Sequence, residues 1–417
     1  MGELMLIGVG RMGLPYVAAA RRLGLRVRAV EAASRASALA GQVDAVHPCC
    51  GDRDEDWVQA ASAAAALSRP DGVVAFSEPQ VMAAALLQDR LGLPGPSLHA
   101  ATLSRNKALQ RATFAAAGVC QPEYRLADTL AAQTEWALQR LPVVIKPLSS
   151  AGSEGVELVA AAGAYHEAAA RRANECPLLI ETAIPGPEYS WEAVVVDGRV
   201  WCSNLTAKET TGPPYFVEVA HRAGAQLPPA AASAVQELTA GVLSGLAMHT
   251  GIVHLEFRMG PAGPTLMEVA VRTPGDFLMD LLSLTYGVDW FELVVRAAMS
   301  LPLPEPPSEP VRYAASYLPI AGAGIVREIR GLEEVQAHPC TVHSALLVQP
   351  GDRIAPLESS AQRAGHVVLA ADTPAELEDA LRYVRRTLAI DTCEPVRRRA
   401  FAAVSASGLS ASVDHER

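Results

Sequence analysis

A glycine-rich turn between an apolar strand and a helix is the feature that most constrains the fold of this chain. The opening segment comprises, in order, a strand over residues 4–9 that contains Gly8, a turn with Gly10 and Gly13, a helix over 15–23 and a second strand over 25–31. Strands that alternate with helices predict a parallel sheet with helices against its faces. The glycine spacing, with Glu31 at the end of the second strand, is also typical of dinucleotide-binding proteins. Taken alone it favours a nicotinamide or flavin enzyme, but a structural turn or a loop that contacts substrate fits the same residues.

The rest of the chain divides at stretches rich in proline and glycine. The alternation of strands and helices continues to residue 91, and the Pro94-Gly95-Pro96 run after it marks a boundary. A compact α+β block follows, and then a strand-rich block that begins at Glu188. Five prolines between residues 301 and 310 mark a linker, and the β-rich segment beyond it ends in a helix over 374–388. We therefore predict α/β and α+β domains over residues 1–98, 99–187, 188–304 and 305–395, with a tail at 396–417.

Composition argues against several classes of function. The chain has 417 residues, half of them apolar, and a formal net charge of −10, which argues against nucleic-acid binding because that function needs a clustered basic face. No apolar run approaches the ~20 residues that a membrane-spanning helix needs. The seven cysteines form no CxxC or Cys/His spacing, which argues against a disulfide framework and a structural zinc site. We expect a cytoplasmic protein without a nucleic-acid or membrane partner.

Two lysines and a loop of small residues stand in an order that suits phosphate binding. Lys107 opens a predicted helix, and Lys146 ends an apolar strand, where a buried ammonium group is costly unless it has an anionic partner. The loop at residues 149–156 is rich in serine and glycine and is too long for a tight hairpin. Backbone N–H groups of such a loop can cover a phosphate chain. The loop is therefore predicted to be a mobile phosphate lid.

Acidic residues inside apolar strands supply the other candidates. One apolar strand contains Glu181 and leads to Glu188. Glu256 and Glu268 each lie in mid-strand between apolar neighbours, and a short turn would join their strands into a hairpin. The register of that hairpin can put both carboxylates on one face, where like charges repel unless a cation lies between them.

Acyl activation by ATP requires groups of these kinds. Two cations must neutralise the phosphates, a loop must cover them, and acids must hold Mg²⁺ across the β- and γ-phosphates. A strand must offer backbone hydrogen bonds to the adenine, and a carboxylate must bind the ribose. The ordered set resembles the ATP-grasp superfamily, and within it the carboxylate–amine ligases built like biotin carboxylase, over residues 4–390. The resemblance implies an ATP-grasp fold with an N-terminal Rossmann-like domain, a lid subdomain and a β-rich C-terminal appendage.

The resemblance implies a role for each candidate residue. The expected ATP contacts are Lys107 and Lys146 at the α- and β-phosphates, Ser153 and Gly155 over the γ-phosphate, Glu181 with the backbone of Thr182, Ala183 and Ile184 at the adenine, and Glu188 at the ribose. Glu256 and Glu268 would bind one or two Mg²⁺ ions, with Mn²⁺ as an alternative. Arg272 would clamp the substrate carboxylate or the acyl phosphate, because a guanidinium group matches planar oxyanions with two hydrogen bonds.

Four further positions complete the comparison with the family. Lys208 lies where related ligases carry a lysine near the phosphates, and the alternative is an exposed lysine at a strand end. His221 belongs to a segment that similar ligases present to the substrate, or to a solvated turn. Gly275 precedes a helix whose N-terminus would add to an anion site. Ala270 departs from the family, which usually has Asn two residues after the second metal acid, so the number of metal ions stays open.

The implied reaction is a ligation in two steps. A carboxylate would attack ATP to form an acyl phosphate, and an amine would then displace phosphate to form an amide. Both substrates would be small molecules, with an amino acid or short peptide as the favoured nucleophile, and many relatives form dimers. The rival hypotheses are a bicarbonate-activating carboxylase, an enzyme of purine-synthesis type, a nicotinamide oxidoreductase and a catalytically inactive ATP-binding partner.

Overall fold

The fold begins with a parallel sheet, as the alternation of strands and helices predicted. The computed structural model describes residues 2–393 except Arg11 and Ser308, so the predicted tail at 396–417 lies outside the described residues. The first elements are β1 (Glu3–Ile7), α1 (Leu14–Arg22), β2 (Arg26–Ala32), α2 (Ala33–Ala36), β3 (Ala45–Cys49), α3 (Asp54–Leu67), β4 (Gly72–Ala75) and α4 (Val81–Leu91). The strands lie in the order β3, β2, β1, β4 and are parallel. Strand β3 was missed because it is short and contains Pro48, which an edge strand tolerates.

A second sheet of four antiparallel strands follows the boundary near Pro94. Its region contains α5 (Leu98–Ser104), α6 (Lys107–Ala116), β5 (Tyr124–Ala127), α7 (Thr134–Leu138), β6 (Val143–Pro147), β7 (Glu157–Val159), α8 (Ala162–Arg171) and β8 (Leu178–Thr182). The strand order is β5, β8, β6, β7. The side chain of Asn106 accepts hydrogen bonds from two backbone N–H groups of α6 and so caps the helix. This cap fixes Lys107 in the first helical turn.

The largest sheet has eight strands and extends over two of the predicted domains. The elements are β9 (Glu188–Val196), β10 (Arg199–Thr210), β11 (Glu218–Ala223), α9 (Pro229–Leu246), β12 (Gly251–Gly260), β13 (Gly263–Ala270), α10 (Leu278–Tyr286), α11 (Trp290–Ala298), β14 (Tyr313–Tyr317), β15 (Gly324–Arg330), α12 (Leu332–Gln336), β16 (Thr341–Leu346), β17 (Arg353–Ile354), β18 (Gly365–Ala371), α13 (Pro374–Thr387) and β19 (Ala389–Cys393). The order in the large sheet is β13, β12, β9, β10, β11, β14, β18, β16, and β17, β15 and β19 form a small separate sheet. The regions 188–304 and 305–395 therefore share one sheet, and the domain boundary at residue 304 stays a prediction.

One apolar core joins the N-terminal sheet to the large sheet. It combines buried residues of β1, β2 and α1 with residues of α10, α11 and β14. The rings of Tyr16 and Phe291 meet edge to face, with centroids 5.0 Å apart. The Tyr16 hydroxyl lies 2.7 Å from Oγ1 of Thr273, so α1 is held directly beside the segment that carries Arg272. Within residues 2–393, no helix is both long enough and apolar enough to cross a membrane.

Candidate active site

Two adjoining cavities contain most of the predicted site residues. The first, of about 530 Å³, lies between the second sheet and the large sheet. The predicted residues that line it are Lys107, Lys146, Ser153, Glu181, Thr182, Ala183, Ile184, Glu188, Glu256, Glu268 and Arg272. The second, of about 300 Å³, is lined by Lys208, His221 and Gly275 and shares Glu256 and Arg272 with the first. Gly155 lines neither cavity, and a Cβ at this position would lie 2.8 Å from the Pro147 ring, so its predicted contact with the γ-phosphate lacks structural support.

All lysines of the chain are located at these cavities. The sequence contains 32 arginines but only three lysines, Lys107, Lys146 and Lys208. Each of them is buried or has a buried side chain, and each lines one of the two cavities. An ammonium group is a compact point charge, whereas a guanidinium group is wide and planar. This arginine-rich chain therefore uses the compact cation only at positions that line the two cavities.

Lys146 lies in a buried cluster with one acid and one arginine. Its Nζ is 2.5 Å from Oε2 of Glu181, and Nε of Arg111 is 2.6 Å from the other carboxylate oxygen. Burial lowers the pKa of Lys146, and the attraction of Glu181 opposes this shift only in part. Burial would raise the pKa of Glu181, but the two cations outweigh it and hold the pKa below its usual value. The Glu181 carboxylate therefore orients Lys146, and its predicted contact with the adenine stays a prediction.

Lys107 connects the lid to one of the two predicted metal acids. Its Nζ donates to the carbonyl oxygen of Ser150, at 2.6 Å, and lies 3.0 Å from Oε1 of Glu268. Its backbone N–H also donates to the carbonyl of Leu148, so the start of α6 is fixed to the base of the lid. The capped helix end thus brings the ammonium group within reach of both the lid and Glu268.

Lys208 is surrounded by three carboxylates. Its Nζ is 2.9 Å from Glu188, 3.3 Å from Glu218 and 2.8 Å from Glu256, and 1% of its side chain is exposed. Burial alone would lower the pKa of Lys208, but the three acids outweigh burial and hold the pKa well above its ordinary value. The alternative of an exposed lysine at a strand end is therefore wrong.

The two predicted metal acids face each other across a hairpin. Glu256 on β12 is the direct partner of Glu268 on β13, as their mid-strand positions predicted. Lys208 and His254 both contact Oε1 of Glu256, at 2.8 and 3.1 Å, and within the described residues Oε2 accepts no hydrogen bond. Each acid thus has one oxygen beside a cation and a second oxygen for another ligand. Carboxylate oxygens of this kind suit Mg²⁺, although Ala270 supplies no ligand atom.

His254 connects Glu256 to a buried acid. Its Nδ1 lies 3.0 Å from Oε1 of Glu192, which is fully buried, and its Nε2 lies 3.1 Å from Glu256. Burial would lower the pKa of His254, but Glu192 and Glu256 raise it to about 9. Burial would also raise the pKa of Glu192, and the hydrogen bond with His254 instead holds it below its usual value. The three residues form a chain of alternating charge.

Two of the three backbone N–H groups in the predicted adenine segment already have partners. The N–H groups of Thr182 and Ala183 already donate to the carbonyls of Glu123 and Pro142, at 2.9 and 3.0 Å. Within residues 2–393, only Ile184 of the three retains an N–H group without such a partner. Backbone contacts of Thr182 and Ala183 with the adenine would therefore use their carbonyl oxygens, and the adenine role of this segment stays a prediction.

The second cavity contains a network of charges around Asp276. Both guanidinium Nη atoms of Arg363 bind the Asp276 carboxylate, at 2.8 and 2.5 Å, and Nε2 of His221 lies 3.0 Å from it. His221 is buried on β11, so the alternative of a solvated turn is wrong. The helix predicted from residue 276 begins at Leu278, because Asp276 and Phe277 have left-handed backbone angles (φ of 57° and 62°). Gly275 thus lies in the cavity wall rather than at the helix start.

The acid of the glycine-rich turn has a structural role. Oε2 of Glu31 accepts hydrogen bonds from the N–H groups of Val9 and Gly10, both at 2.8 Å. Its Oε1 accepts from the N–H of Ala32, and Glu31 is fully buried. A carboxylate used in this way is closed to ribose hydroxyls. The turn itself requires glycine, since a Cβ at Gly13 would lie 2.2 Å from a backbone carbonyl oxygen.

Several residues of the site were missed in the sequence. Arg111 lies four positions after Lys107 on α6, a spacing that puts both on one helix face. Glu192 is an acid within an apolar strand, the same signal that identified Glu256. Arg363 carries no such signal in the sequence, although it completes the second cavity from a distant part of the chain.

Comparison with known proteins identifies relatives over most of the chain. Family models match at residues 17–95 (ATP-grasp N-terminal domain), 139–280 (ATP-grasp domain) and 316–392 (L-amino acid ligase C-terminal domain 2). Carnosine synthase 1 of Gallus gallus is 27% identical in an alignment of 337 positions, which covers 74% of this chain and 36% of the relative. A formate-dependent phosphoribosylglycinamide formyltransferase of Anaeromyxobacter dehalogenans is 27% identical over 81% of this chain and 87% of the relative. The chain therefore spans little more than a third of the carnosine synthase that it matches.

Solved structures share the fold. An L-amino acid ligase from Bacillus licheniformis superposes with a TM-score of 0.80 at 24% identity, over 94% of this chain and 99% of the other. A carboxyaminoimidazole ribonucleotide synthase from Aspergillus clavatus, complexed with ATP, gives a TM-score of 0.74 at 19% identity over 92% and 97% of the two chains. At these identities the similarity establishes the fold, which has the predicted mixed α/β class and the β-rich C-terminal part.

Proposed function

Because this chain belongs to the ATP-grasp superfamily, we propose that it is an ADP-forming ligase that joins a carboxylate to an amine, with an amino acid among its substrates. The observation that carries the proposal is the convergence of Lys107, Lys146, Glu256 and Glu268 on one cavity that adjoins a second. The first cavity would hold ATP and the second the acid to be activated. Arg272 lies in the wall that the two cavities share.

The nucleotide would be held by exchange of ion-pair partners. Lys146 and Lys107 would turn from Glu181 and Glu268 to the phosphates, whose oxygens also carry negative charge. Ser153 and its neighbours would cover the γ-phosphate, and Glu188 would take the ribose hydroxyls. The N–H of Ile184 is the donor that remains for the adenine.

The residues present fit a divalent metal ion, because Glu256 and Glu268 are paired across the hairpin and both line the first cavity. Glu256 and Glu268 would hold Mg²⁺, or Mn²⁺, each through the oxygen that faces no lysine. The ion would supply positive charge opposite the β- and γ-phosphates. With Ala270 in the third position, we expect the phosphates and water to complete its coordination.

The remaining residues would manage the acyl transfer. Arg272 would bind the substrate carboxylate and then the acyl phosphate, once it exchanges its present partner Glu78, which lies at 2.8 Å. Lys208 would stabilise negative charge on the transferring phosphoryl group. The lid would exclude water, so that the amine rather than water attacks the acyl phosphate.

Two variants test the proposal. Lys146→Ala and Glu268→Ala should each abolish ADP formation while the circular dichroism spectrum and gel-filtration profile stay unchanged. Glu333→Ala removes an exposed acid on α12 and is the matched control. The assay is phosphate release with pairs of amino acids, in the presence of ATP and Mg²⁺. ADP release at the wild-type rate from either site variant would refute the assignment.

A ligase of purine-synthesis type is the second candidate. It is favoured by the formyltransferase relative, 87% of which this chain spans. Phosphate release with formate and a phosphoribosyl amine, but with no pair of amino acids, would decide for it. A cytoplasmic location and a homodimer stay predictions.

A further inference from the structure

A buried pair of residues lies directly behind the proposed metal acid Glu256. Glu192 on β9 and His254 on β12 are direct neighbours across the two strands, and Nδ1 of His254 lies 3.0 Å from Oε1 of Glu192. The other ring nitrogen lies 3.1 Å from Oε1 of Glu256. The imidazole ring therefore lies between the two carboxylates and contacts one of them with each ring nitrogen.

The position of Glu192 is fixed from its far side. Its Oε2 accepts hydrogen bonds from Nδ2 of Asn204, at 3.0 Å, and from Oγ1 of Thr206, at 2.8 Å. Both donors lie on β10, the next strand of the sheet, and Glu192, Asn204 and Thr206 are buried. A buried carboxylate is costly unless hydrogen bonds and an opposite charge compensate it. Here three donors hold its two oxygens, so the side chain has one orientation.

This arrangement determines which oxygen of Glu256 is presented to the cavity. Nε2 of His254 and Nζ of Lys208 approach the same atom, Oε1. Oε2 accepts no hydrogen bond in the part of the chain that the structure describes, and Glu256 lines both cavities. Two donors on one oxygen fix the rotation of the carboxylate about its last bond. Groups behind a metal ligand commonly orient it in this way.

We propose that Glu192 and His254 are positioning residues that orient Glu256 for the divalent cation. The inference rests on the proposed function, which makes Glu256 a metal acid. Glu192 lines neither cavity and so cannot touch nucleotide or substrate, whereas His254 lines both, which makes Glu192→Gln the cleaner test of this role. Their contribution should therefore appear in the affinity for the metal ion and not in the affinity for the nucleotide alone.

The test compares metal requirement with nucleotide binding in His254→Gln and Glu192→Gln. The matched control is His249→Gln, because His249 is exposed and lies outside both cavities. Thermal unfolding with saturating ADP is followed as Mg²⁺ is titrated, which reports metal binding without catalysis. ADP formation is titrated in parallel, and ADP affinity is measured in EDTA. Loss of such groups typically weakens metal affinity about 10- to 100-fold.

The expected result is a Mg²⁺ midpoint about 10- to 100-fold higher in both variants, an ADP affinity in EDTA unchanged within about twofold, and a control that matches the wild type. A lower melting temperature with an unchanged Mg²⁺ midpoint would overturn the inference, because a purely structural role predicts that pattern. If Glu192→Gln does not fold, Thr206→Val removes one of its hydrogen bonds and should shift the midpoint in the same direction. A wild-type protein that Mg²⁺ and ADP do not stabilise would instead overturn the proposed function, and this inference with it.

Discussion

Replacing Lys208 by methionine should expose how strongly the site depends on one ammonium group. The stem of the side chain is retained, but Glu188, Glu218 and Glu256 lose the cation that lies 2.8 to 3.3 Å from each of them. Removal of one partner from a buried ion pair costs about 3–5 kcal/mol, because the remaining charge is uncompensated. Since three acids share this lysine, we expect Lys208→Met to lower the free energy of unfolding by about 5 kcal/mol at pH 7.5.

The stability difference between Lys208→Met and the wild type should depend on pH, in a direction set by the pKa of Glu256. In the wild type, burial would raise the pKa of Glu256, but Lys208 and His254 outweigh it and hold the pKa well below its usual value. The stability that Glu256 contributes is therefore present above its unfolded pKa of about 4.3 and is lost as the pH falls through the depressed folded pKa. Without Lys208, only His254 opposes the effect of burial, so we expect the pKa of Glu256 to rise in the variant. A proton then replaces the lost cation, so the difference between variant and wild type should shrink as the pH falls from 7.5 to about 5.

The assay is urea unfolding of the wild type, Lys208→Met and Lys208→Arg at pH 7.5 and pH 5. Lys208→Arg keeps the charge in a wider group, so it should lose less stability than Lys208→Met at pH 7.5 and show little change with pH. An equal loss for Lys208→Met at both pH values would mean that packing rather than charge explains the effect. That outcome would refute the reasoning.

Three further variants test other parts of the site. Glu31→Gln should lower stability by about 1–3 kcal/mol and leave the KM for ATP unchanged, and NADH should not raise the melting temperature of either protein; a wild type stabilised by NADH would restore the oxidoreductase hypothesis. Ala270→Asn should lower the Mg²⁺ concentration for half-maximal ADP release severalfold, since it adds a ligand oxygen beside Glu268; an unchanged midpoint would place residue 270 outside the metal site. Asp276→Asn should cost about 3 kcal/mol and raise the KM for the amino-acid substrate, as measured by phosphate release; an equal rise in the KM for ATP would contradict the assignment of two separate cavities.

The sequence predicted the strands and the lysines of the site better than it predicted which side chains pair with each other. Lys146 at a strand end and Glu256 within a strand were recognisable because a charge in an apolar strand needs a partner. The partner itself could not be predicted, since Glu181 meets Lys146 only through strand pairing. The role of Glu31 could not be predicted either, because the same carboxylate can bind a ribose or the backbone of its own turn. Arg363 could not be predicted as a site residue either, because it lies about 90 residues from Asp276 in the sequence.

Two of the three lysines, Lys107 and Lys208, link the binding of nucleotide to the binding of the metal ion in the proposed site. In the structure, Lys107 neutralises Glu268 and Lys208 neutralises Glu256, so neither acid is left as an uncompensated charge. If phosphates drew Lys107 away, Glu256 and Glu268 would face each other across the hairpin with less positive charge between them. A divalent cation at that point restores the balance, and its affinity rises because the lysine has left. Nucleotide and metal ion should therefore strengthen each other's binding by the same factor, and the source of that coupling is the exchange of partners by Lys107.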